Sequence, residues 1–299
     1  MSRDLTGTLL VLLSTAGYAF FSIFAKMALG AGIRPFDLAI WRFILAAAIF
    51  WASFPLWRKW AQLPLLNLKD YATLLALGAI FSSGALLAFF SLGTKMPASA
   101  YTLLVNTSPA LVALLSVLFG ERLSVSAWGA VGLALVGSAL TMQGDFGGAT
   151  FGELMLPIAN AAVIAVYVAL ASRMARHIPG ITAGIFVITG ALITLLGFAL
   201  FWGIQIPPDG AWLPIVGIAV FGTVVGIAAL LAGMNYIPAY RASLIQSSGP
   251  AATLIFASII LGDRLSISQF FGGALILVSV ILAHLTERKV RPEAGAVAS

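Results

Sequence analysis

The sequence predicts an all-α polytopic membrane protein in which ten transmembrane helices form two inverted five-helix repeats around a central cavity. Composition is the first observation behind this prediction: 61% of the 299 residues are apolar, 9% are charged, and the mean hydropathy is +1.06. Soluble chains are about 45–50% apolar and roughly 25% charged. The other two observations are a series of apolar segments of spanning length and an internal repeat.

Ten apolar segments are each long enough to cross about 30 Å of hydrocarbon as a helix. We predict spans 1 to 10 at residues 6–29, 36–56, 70–93, 97–119, 125–143, 151–173, 181–203, 211–235, 238–261 and 267–286. Short loops that often contain Pro or Gly connect these spans. We therefore expect a first repeat at residues 1–143, a second at 144–286, and a polar cytoplasmic tail at 287–299.

The stretch from Pro97 to Ser124 occurs again from Pro238 to Ser266. The middle of each copy carries polar residues and a proline, Asn-Thr-Ser-Pro at 106–109 and Ser-Ser-Gly-Pro at 247–250, which we call the polar breaks. Each proline frees the backbone carbonyl four residues earlier from its helical hydrogen bond. In lipid such a carbonyl needs a partner or a water-filled cavity. The polar breaks therefore predict a binding site near the middle of the membrane.

The two copies lie in spans 4 and 9, so the repeat unit has five spans, and an odd number of crossings inverts the second unit. Orientation follows from Lys and Arg, which concentrate on the cytoplasmic side of membranes. With the N-terminus inside, eleven basic residues lie inside (Arg3, Arg58, Lys59, Lys69, Arg122, Arg173, Arg176, Arg241, Arg288, Lys289 and Arg291) and four lie outside (Lys26, Arg34, Lys95 and Arg264). Both termini are therefore predicted to be cytoplasmic.

Polar or small residues occur near the midpoints of spans 1, 3, 4, 6, 8 and 9, whereas spans 2, 5, 7 and 10 are almost wholly apolar there. We expect the first group to surround the cavity and the second to face mostly lipid or a partner. The predicted substrate-binding residues are Tyr18, Ser82, Ser83, Tyr101, Asn106, Pro109, Asn160, Tyr167, Thr223, Gln246, Ser247, Ser248 and Pro250.

Some of these residues have a structural interpretation as well. Serine and threonine in membrane helices commonly serve close packing, and the two prolines could equally serve only to shape their helices. Asn106, Asn160 and Gln246 cost more to bury, which favours the cavity for them.

Arg42 lies well inside span 2. Its side chain could snorkel to the interface, pair with Asp37, or face the cavity and meet a substrate carboxylate. The two structural interpretations are the commoner ones for an arginine that can reach the interface.

The sequence lacks the residues and motifs that several kinds of chemistry require. There is no cysteine, hence no thiolate metal site, and all ten acidic residues fall near predicted helix ends rather than at mid-membrane. No phosphate-binding loop, HExxH or GxSxG motif occurs. We predict no enzymatic activity, no cofactor, no metal and no nucleic-acid partner. The expected partners are a small-molecule substrate and the lipid bilayer, with the protein a monomer or a homodimer.

The repeat also carries a family resemblance. A proline-broken span 4 that runs into Gly-Glu-Arg-Leu-Ser, and a span 9 that runs into Gly-Asp-Arg-Leu-Ser, resemble the EamA-type carriers of the drug/metabolite transporter superfamily over residues 5–286. Within that family the sequence is similar to bacterial aromatic amino acid exporters of the YddG type. The resemblance implies a basket of helices around a central cavity and efflux of aromatic amino acids across the inner membrane.

The main functional hypothesis is a secondary transporter that exports small amphipathic metabolites, with aromatic amino acids first, by alternating access. An exporter or facilitator of other amino acids, drugs or metabolites is the alternative, since relatives use the same scaffold for different solutes. The hypothesis from another class is a non-transporting membrane scaffold. Such a protein is expected to have a large soluble extension or an exposed polar docking face, and the sequence shows neither.

Overall fold

The fold was analysed in a computed structural model, which describes residues 3–57, 66–94, 101, 104–120, 123–141, 148–174, 178–249, 252 and 267–290. Every regular element within these ranges is helical, which confirms the all-α prediction for them. The first seven helices are α1 (Arg3–Gly30), α2 (Pro35–Ala52), α3 (Phe54–Trp57), α4 (Leu68–Leu92), α5 (Ser108–Leu118), α6 (Val125–Thr141) and α7 (Phe151–Met174).

Five further α-helices follow within these ranges, and two of them are joined by a π-helical segment. They are α8 (Gly180–Trp202), α9 (Trp212–Gly217), α10 (Gly226–Met234), α11 (Ala239–Gln246) and α12 (Ile267–Val290). A short 3₁₀ turn (Asp209–Ala211) precedes α9, and a π-helical segment (Ile218–Val225) joins α9 to α10, so that Asp209–Met234 forms one continuous helical crossing.

Six of the described helical stretches are long and apolar enough to cross a membrane. They are Asp4–Gly30, Pro35–Ala52, Leu68–Leu92, Phe151–Met174, Gly180–Trp202 and Asp209–Met234, and they correspond to predicted spans 1, 2, 3, 6, 7 and 8. Shorter apolar helices lie within spans 4 and 5. The total of ten crossings stays a prediction, because spans 4 and 9 run over residues 97–100 and 253–261, which are outside the described ranges.

The helix is interrupted at the same repeat position in both halves. Asn106 and Thr107 form a turn before α5, and Ser247 and Ser248, which lie 141 residues later, form a turn after α11. The Thr107 hydroxyl donates to the Leu104 carbonyl at 2.7 Å, and the Ser248 hydroxyl donates to the Ile245 carbonyl at 2.6 Å. The two halves thus end their helices with the same side-chain-to-backbone hydrogen bond.

The prediction that span 2 faces mostly lipid or a partner is wrong. Helix α2 packs against α8, the π-helical segment and α4, and Leu38, Ile40, Phe43 and Ala46 are fully buried. The error has a physical reason: lipid tails are as apolar as a protein interior, so composition does not show which of the two surrounds a helix.

Span 7 also contributes to the interior on one of its faces. Gly190 of α8 lies against the backbone of Leu75 in α4, and Gly78 of α4 lies against the backbone of Val187 in α8. Glycine at both positions lets the two helix backbones touch, which is how small residues drive association in membranes. Towards its C-terminal end α8 exposes large apolar side chains such as Leu200 and Phe201.

An ion pair joins the first and second halves of the chain at one end of the bundle. The Arg241 guanidinium of α11 donates to both carboxylate oxygens of Asp4 in α1, at 2.8 and 3.1 Å, and to the hydroxyl of Thr8 at 3.1 Å. Both residues fall at the end that the distribution of basic residues predicts to be cytoplasmic.

We predict that Gly190→Leu destabilises the protein by at least the ~1–3 kcal/mol typical of overpacking, because its side chain must displace the backbone of α4. Gly197→Leu in the same helix is the matched control, since a side chain there meets no atom within 4 Å. Thermal unfolding in detergent measures both. Equal melting temperatures for the two variants would contradict the backbone contact.

We also predict that Arg241→Gln and Asp4→Asn each lower the melting temperature. The loss should stay below the ~3–5 kcal/mol of a fully buried pair, because Asp4 is partly exposed. The double variant should lose less than the sum of the single variants, as expected of coupled neighbours. Strict additivity in the same unfolding measurement would show that the pair contributes nothing as a pair.

Candidate functional site

A cavity of about 210 Å³ lies among α1, α2, α4, α7 and the two polar breaks. A second cavity of about 190 Å³ adjoins it, because Tyr18, Phe81, Asn106, Tyr167 and Gln246 line both. Ligand pockets commonly measure ~300–1,000 Å³, and the two cavities together reach that range. Residues from both halves of the chain therefore line two neighbouring cavities whose combined volume suits a small metabolite.

Both polar breaks open onto these cavities. Val105 and Gln246, the repeat-equivalent residues whose carbonyls the prolines free, line both cavities. Asn106 lines both as well, and Gly249 lines the larger one. Residues at both breaks therefore lie beside a cavity, which is where an interrupted backbone can meet water rather than hydrocarbon.

Three buried polar atoms in the cavity wall have no hydrogen-bond partner among the described residues: Asn106 Nδ2, Asn160 Oδ1 and Tyr167 Oη. Asn160 is held in place on its other side, where Nδ2 donates to the Tyr101 hydroxyl at 2.9 Å. Buried polar groups are nearly always paired, so unpaired ones on residues that line a cavity indicate a ligand or water nearby. The set offers one amide donor, one amide acceptor and one hydroxyl that can do both.

Aromatic rings line the cavity beside these polar atoms. The Phe81 and Tyr167 rings are 5.0 Å apart, and the rings of Phe81 and Phe43 meet edge to face at 5.9 Å. Phe21 lines the same cavity and packs against Phe89. The wall is thus apolar and aromatic with a few placed polar atoms, the usual character of a small-molecule site.

The structure distinguishes between the three interpretations of Arg42. The Asp37 carboxylate pairs with Arg34 and accepts the backbone N–H of Gln205 at 3.0 Å, so it is occupied elsewhere. Arg42 is only 2% exposed and lines the larger cavity, which excludes snorkelling. Its Nε donates to the Thr223 hydroxyl at 2.6 Å. The guanidinium therefore faces the cavity.

Thr223 is placed by the π-helical segment. Its hydroxyl donates to the Ile218 carbonyl, five residues earlier, at 3.0 Å. Serine 14 of α1 donates to the Gly226 carbonyl at 2.7 Å, just beyond the segment. π-Helical turns are rare and often mark functional sites, and here the turn supplies the oxygen that orients Arg42.

The predicted site residues divide into three groups. The structure places eight at the walls of the two cavities: Tyr18, Tyr101, Asn106, Pro109, Asn160, Tyr167, Gln246 and Ser247. Ser82, Ser83 and Ser248 are not among the lining residues, and each donates its hydroxyl to a nearby backbone carbonyl, while Thr223 reaches the site through Arg42. Pro250 lies outside the described residues.

Sequence reasoning missed Phe21 and Phe81 and left Arg42 undecided. Phenylalanine occurs throughout the membrane helices, so no pattern separates a cavity face from a lipid face. For Arg42 one signal was available: Arg34 precedes Asp37 by three residues, a helical spacing that offers this carboxylate another partner.

The site has no feature of a metal centre within the described ranges, where no three acidic or histidine side chains come together. The larger and smaller cavities are lined by no carboxylate of the described chain. What the arrangement can do is hold a small solute by an aromatic face, neutral hydrogen-bonding groups and one cation.

Comparison with known proteins places this site in a transport scaffold. The EamA-like transporter family matches the chain twice, over residues 5–143 and 150–285. The uncharacterized transporter YcbK of Bacillus subtilis is 28% identical over 294 residues, which cover 89% of this chain and 88% of the relative. The uncharacterized transporter YdfC of the same organism is 27% identical over 268 residues, covering 87% and 85%.

A solved crystal structure shares the fold. It aligns with a TM-score of 0.76 over 97% of this chain and 99% of its own, at 18% sequence identity. The two family matches cover the two repeats that carry the polar breaks, and the similar relatives are transporters. The chain is accordingly a multi-pass membrane protein of the EamA-like transporter family, within the drug/metabolite transporter superfamily.

Proposed function

We propose that this chain is a secondary carrier that exports small amphipathic metabolites across the bacterial inner membrane by alternating access, with aromatic amino acids as the first candidates. One observation carries the proposal: Asn106, Asn160 and Tyr167, each with an unpaired buried polar atom, line a cavity whose other walls are mainly aromatic and aliphatic, with Arg42 and Gln246 beside them. A cavity of this composition suits a solute with a ring and a polar head.

The aromatic part of the solute has clear partners. Tyr18, Phe21, Phe81 and Tyr167 line the larger cavity and come from α1, α4 and α7. Aromatic pairs gain about 0.5–1.5 kcal/mol beyond the burial of their area when they meet offset or edge to face. A ring among these side chains would replace contacts that the open cavity leaves unmade.

The polar head also has partners. Asn106 Nδ2 can donate to a carboxylate, while Asn160 Oδ1 and Tyr167 Oη can accept from an ammonium group. Neutral groups that are already buried and held in place lose little on binding, since they need not be desolvated again.

Alternating access is supported by the arrangement of the two halves around the cavity. Helices α5 and α11 contact one another, and each adjoins the polar break of a different repeat. In inverted repeats the two halves can exchange roles, which opens the same site to one side and then to the other.

We predict that Tyr167→Phe lowers the affinity for aromatic amino acids about 3- to 10-fold, the value of one hydrogen bond of about 1 kcal/mol. The protein's melting temperature should not fall, because the deleted hydroxyl has no protein partner in the described structure. Counterflow of labelled L-phenylalanine into proteoliposomes measures the transport effect.

Ser83→Ala is the matched control for that prediction. Its hydroxyl is also deleted from a membrane helix, but it donates to Ala79 on an exposed face outside the cavity. Transport by the control should equal that of the unmodified protein. Equal counterflow by all three proteins would remove Tyr167 from the binding site, and absence of counterflow of any aromatic amino acid would overturn their choice as substrates.

A further inference from the structure

We propose that Arg42 is the carboxylate-binding residue of the cavity and that Thr223 positions it, so that a negative charge is the feature the carrier requires of its solute. The inference rests on the proposed function in one respect only, that the solute occupies this cavity. It deepens that function by naming the charge of the substrate class.

The first step concerns the cost of burying Arg42. An arginine stays charged in proteins, and a buried charge is expensive unless it is paired. No carboxylate of the described chain lies within ion-pair distance of Arg42. An unpaired cation facing a cavity inside a membrane protein marks a site for an anion.

The second step concerns what surrounds the guanidinium. Four phenylalanine rings lie within 6 Å of its central carbon, at 4.9 Å for Phe21, 4.8 Å for Phe43, 5.8 Å for Phe81 and 5.9 Å for Phe89. Aromatic faces attract a cation and so hold the charge in place without neutralising it. The rings also exclude water, which strengthens any later contact with an anion.

The third step concerns orientation. Thr223 accepts the hydrogen bond of Nε, and Thr223 is itself anchored to Ile218 of the π-helical segment. The terminal nitrogens of Arg42 have no hydrogen-bond acceptor among the described residues. A guanidinium held in this way can present its two terminal nitrogens to a carboxylate as a fork, the geometry that favours arginine over lysine for planar anions.

The two charges of an amino acid would meet different surroundings in the cavity. The carboxylate would meet a cation, but no Asp or Glu of the described chain lines either cavity to meet the ammonium group. The ammonium group would meet only neutral acceptors such as Asn160 Oδ1 and Tyr167 Oη. Removing the carboxylate from the solute should therefore cost far more than removing the ammonium group.

Three probes of one aromatic framework test this order: L-phenylalanine, 3-phenylpropionate, which lacks the ammonium group, and phenethylamine, which lacks the carboxylate. Binding is measured calorimetrically on the purified protein, and transport is measured in proteoliposomes. We expect 3-phenylpropionate to bind within about threefold of phenylalanine or more tightly. We expect phenethylamine to bind at least tenfold more weakly.

Variants of Arg42 test whether this residue causes the expected order of probe affinities. Arg42→Gln should weaken both carboxylate probes at least tenfold and leave phenethylamine unchanged, whereas Arg42→Lys should restore part of the loss. Arg34→Gln is the matched control, because Arg34 is an exposed arginine at the start of the same helix and lies outside the cavity. The control should keep the order of the unmodified protein.

Thr223 has its own test because it acts through Arg42. Thr223→Val should lower the ratio of 3-phenylpropionate to phenethylamine affinity, and Thr223→Ser should keep it. A role in packing alone would change stability in Thr223→Val without moving that ratio.

The outcomes separate the two proposals. Binding of 3-phenylpropionate that Arg42→Gln abolishes, with no transport of any probe, keeps the anion site and overturns the carrier function. Transport of phenethylamine as efficient as that of phenylalanine keeps the carrier and overturns the anion site. Failure of all carboxylate probes to bind the unmodified protein also overturns the anion site, and this result stands even if Arg42→Gln does not fold.

Discussion

Hydrocarbon offers no hydrogen bonds to an interrupted helix, and the architecture follows from that constraint. Each repeat interrupts one helix at the same position, after Val105 in the first and after Gln246 in the second. Hydroxyls of Thr107 and Ser248 satisfy part of the interrupted backbone. The rest must face a polar space, and both breaks do open onto the cavity that the two halves enclose.

The same constraint explains why a charge is tolerated here. Arg42 comes from α2, a helix that is mostly apolar, and the guanidinium lies at the cavity rather than at the membrane interface. Phenylalanine rings surround the guanidinium, and Thr223 accepts the hydrogen bond from its Nε. The π-helical segment in turn holds Thr223 through its hydrogen bond to Ile218. A carrier with an unpaired cation in the wall of its cavity gains selectivity, since a solute of the wrong charge leaves that cation unpaired.

Apolar segments of spanning length were enough to predict the helices. Asn106, Asn160 and Gln246 pointed to the cavity, because polar side chains are costly to bury in a membrane and usually have a functional role there. Sequence reasoning was less successful with hydroxyls. Ser82, Ser83 and Ser248 donate to carbonyls of their own helices, an option open to any serine in a helix and invisible in a sequence.

The role of α2 was harder still to predict. Its apolar residues suit lipid and protein interior equally, and only packing against α4, α8 and the π-helical segment decides between them. The π-helical segment itself has no sequence signal that we identified. The position of Arg42 in the cavity depends on both features, which is why the residue stayed undecided until the fold was known.

The central claim is that the two repeat-equivalent breaks face one water-filled cavity, and the natural absence of cysteine makes it directly measurable. Single variants Val105→Cys and Gln246→Cys should react with a small charged thiol reagent, and a bound solute should slow both reactions. Leu195→Cys, at a fully buried position in α8, is the unreactive reference. Reaction at neither break, with rates equal to that reference, would contradict the account.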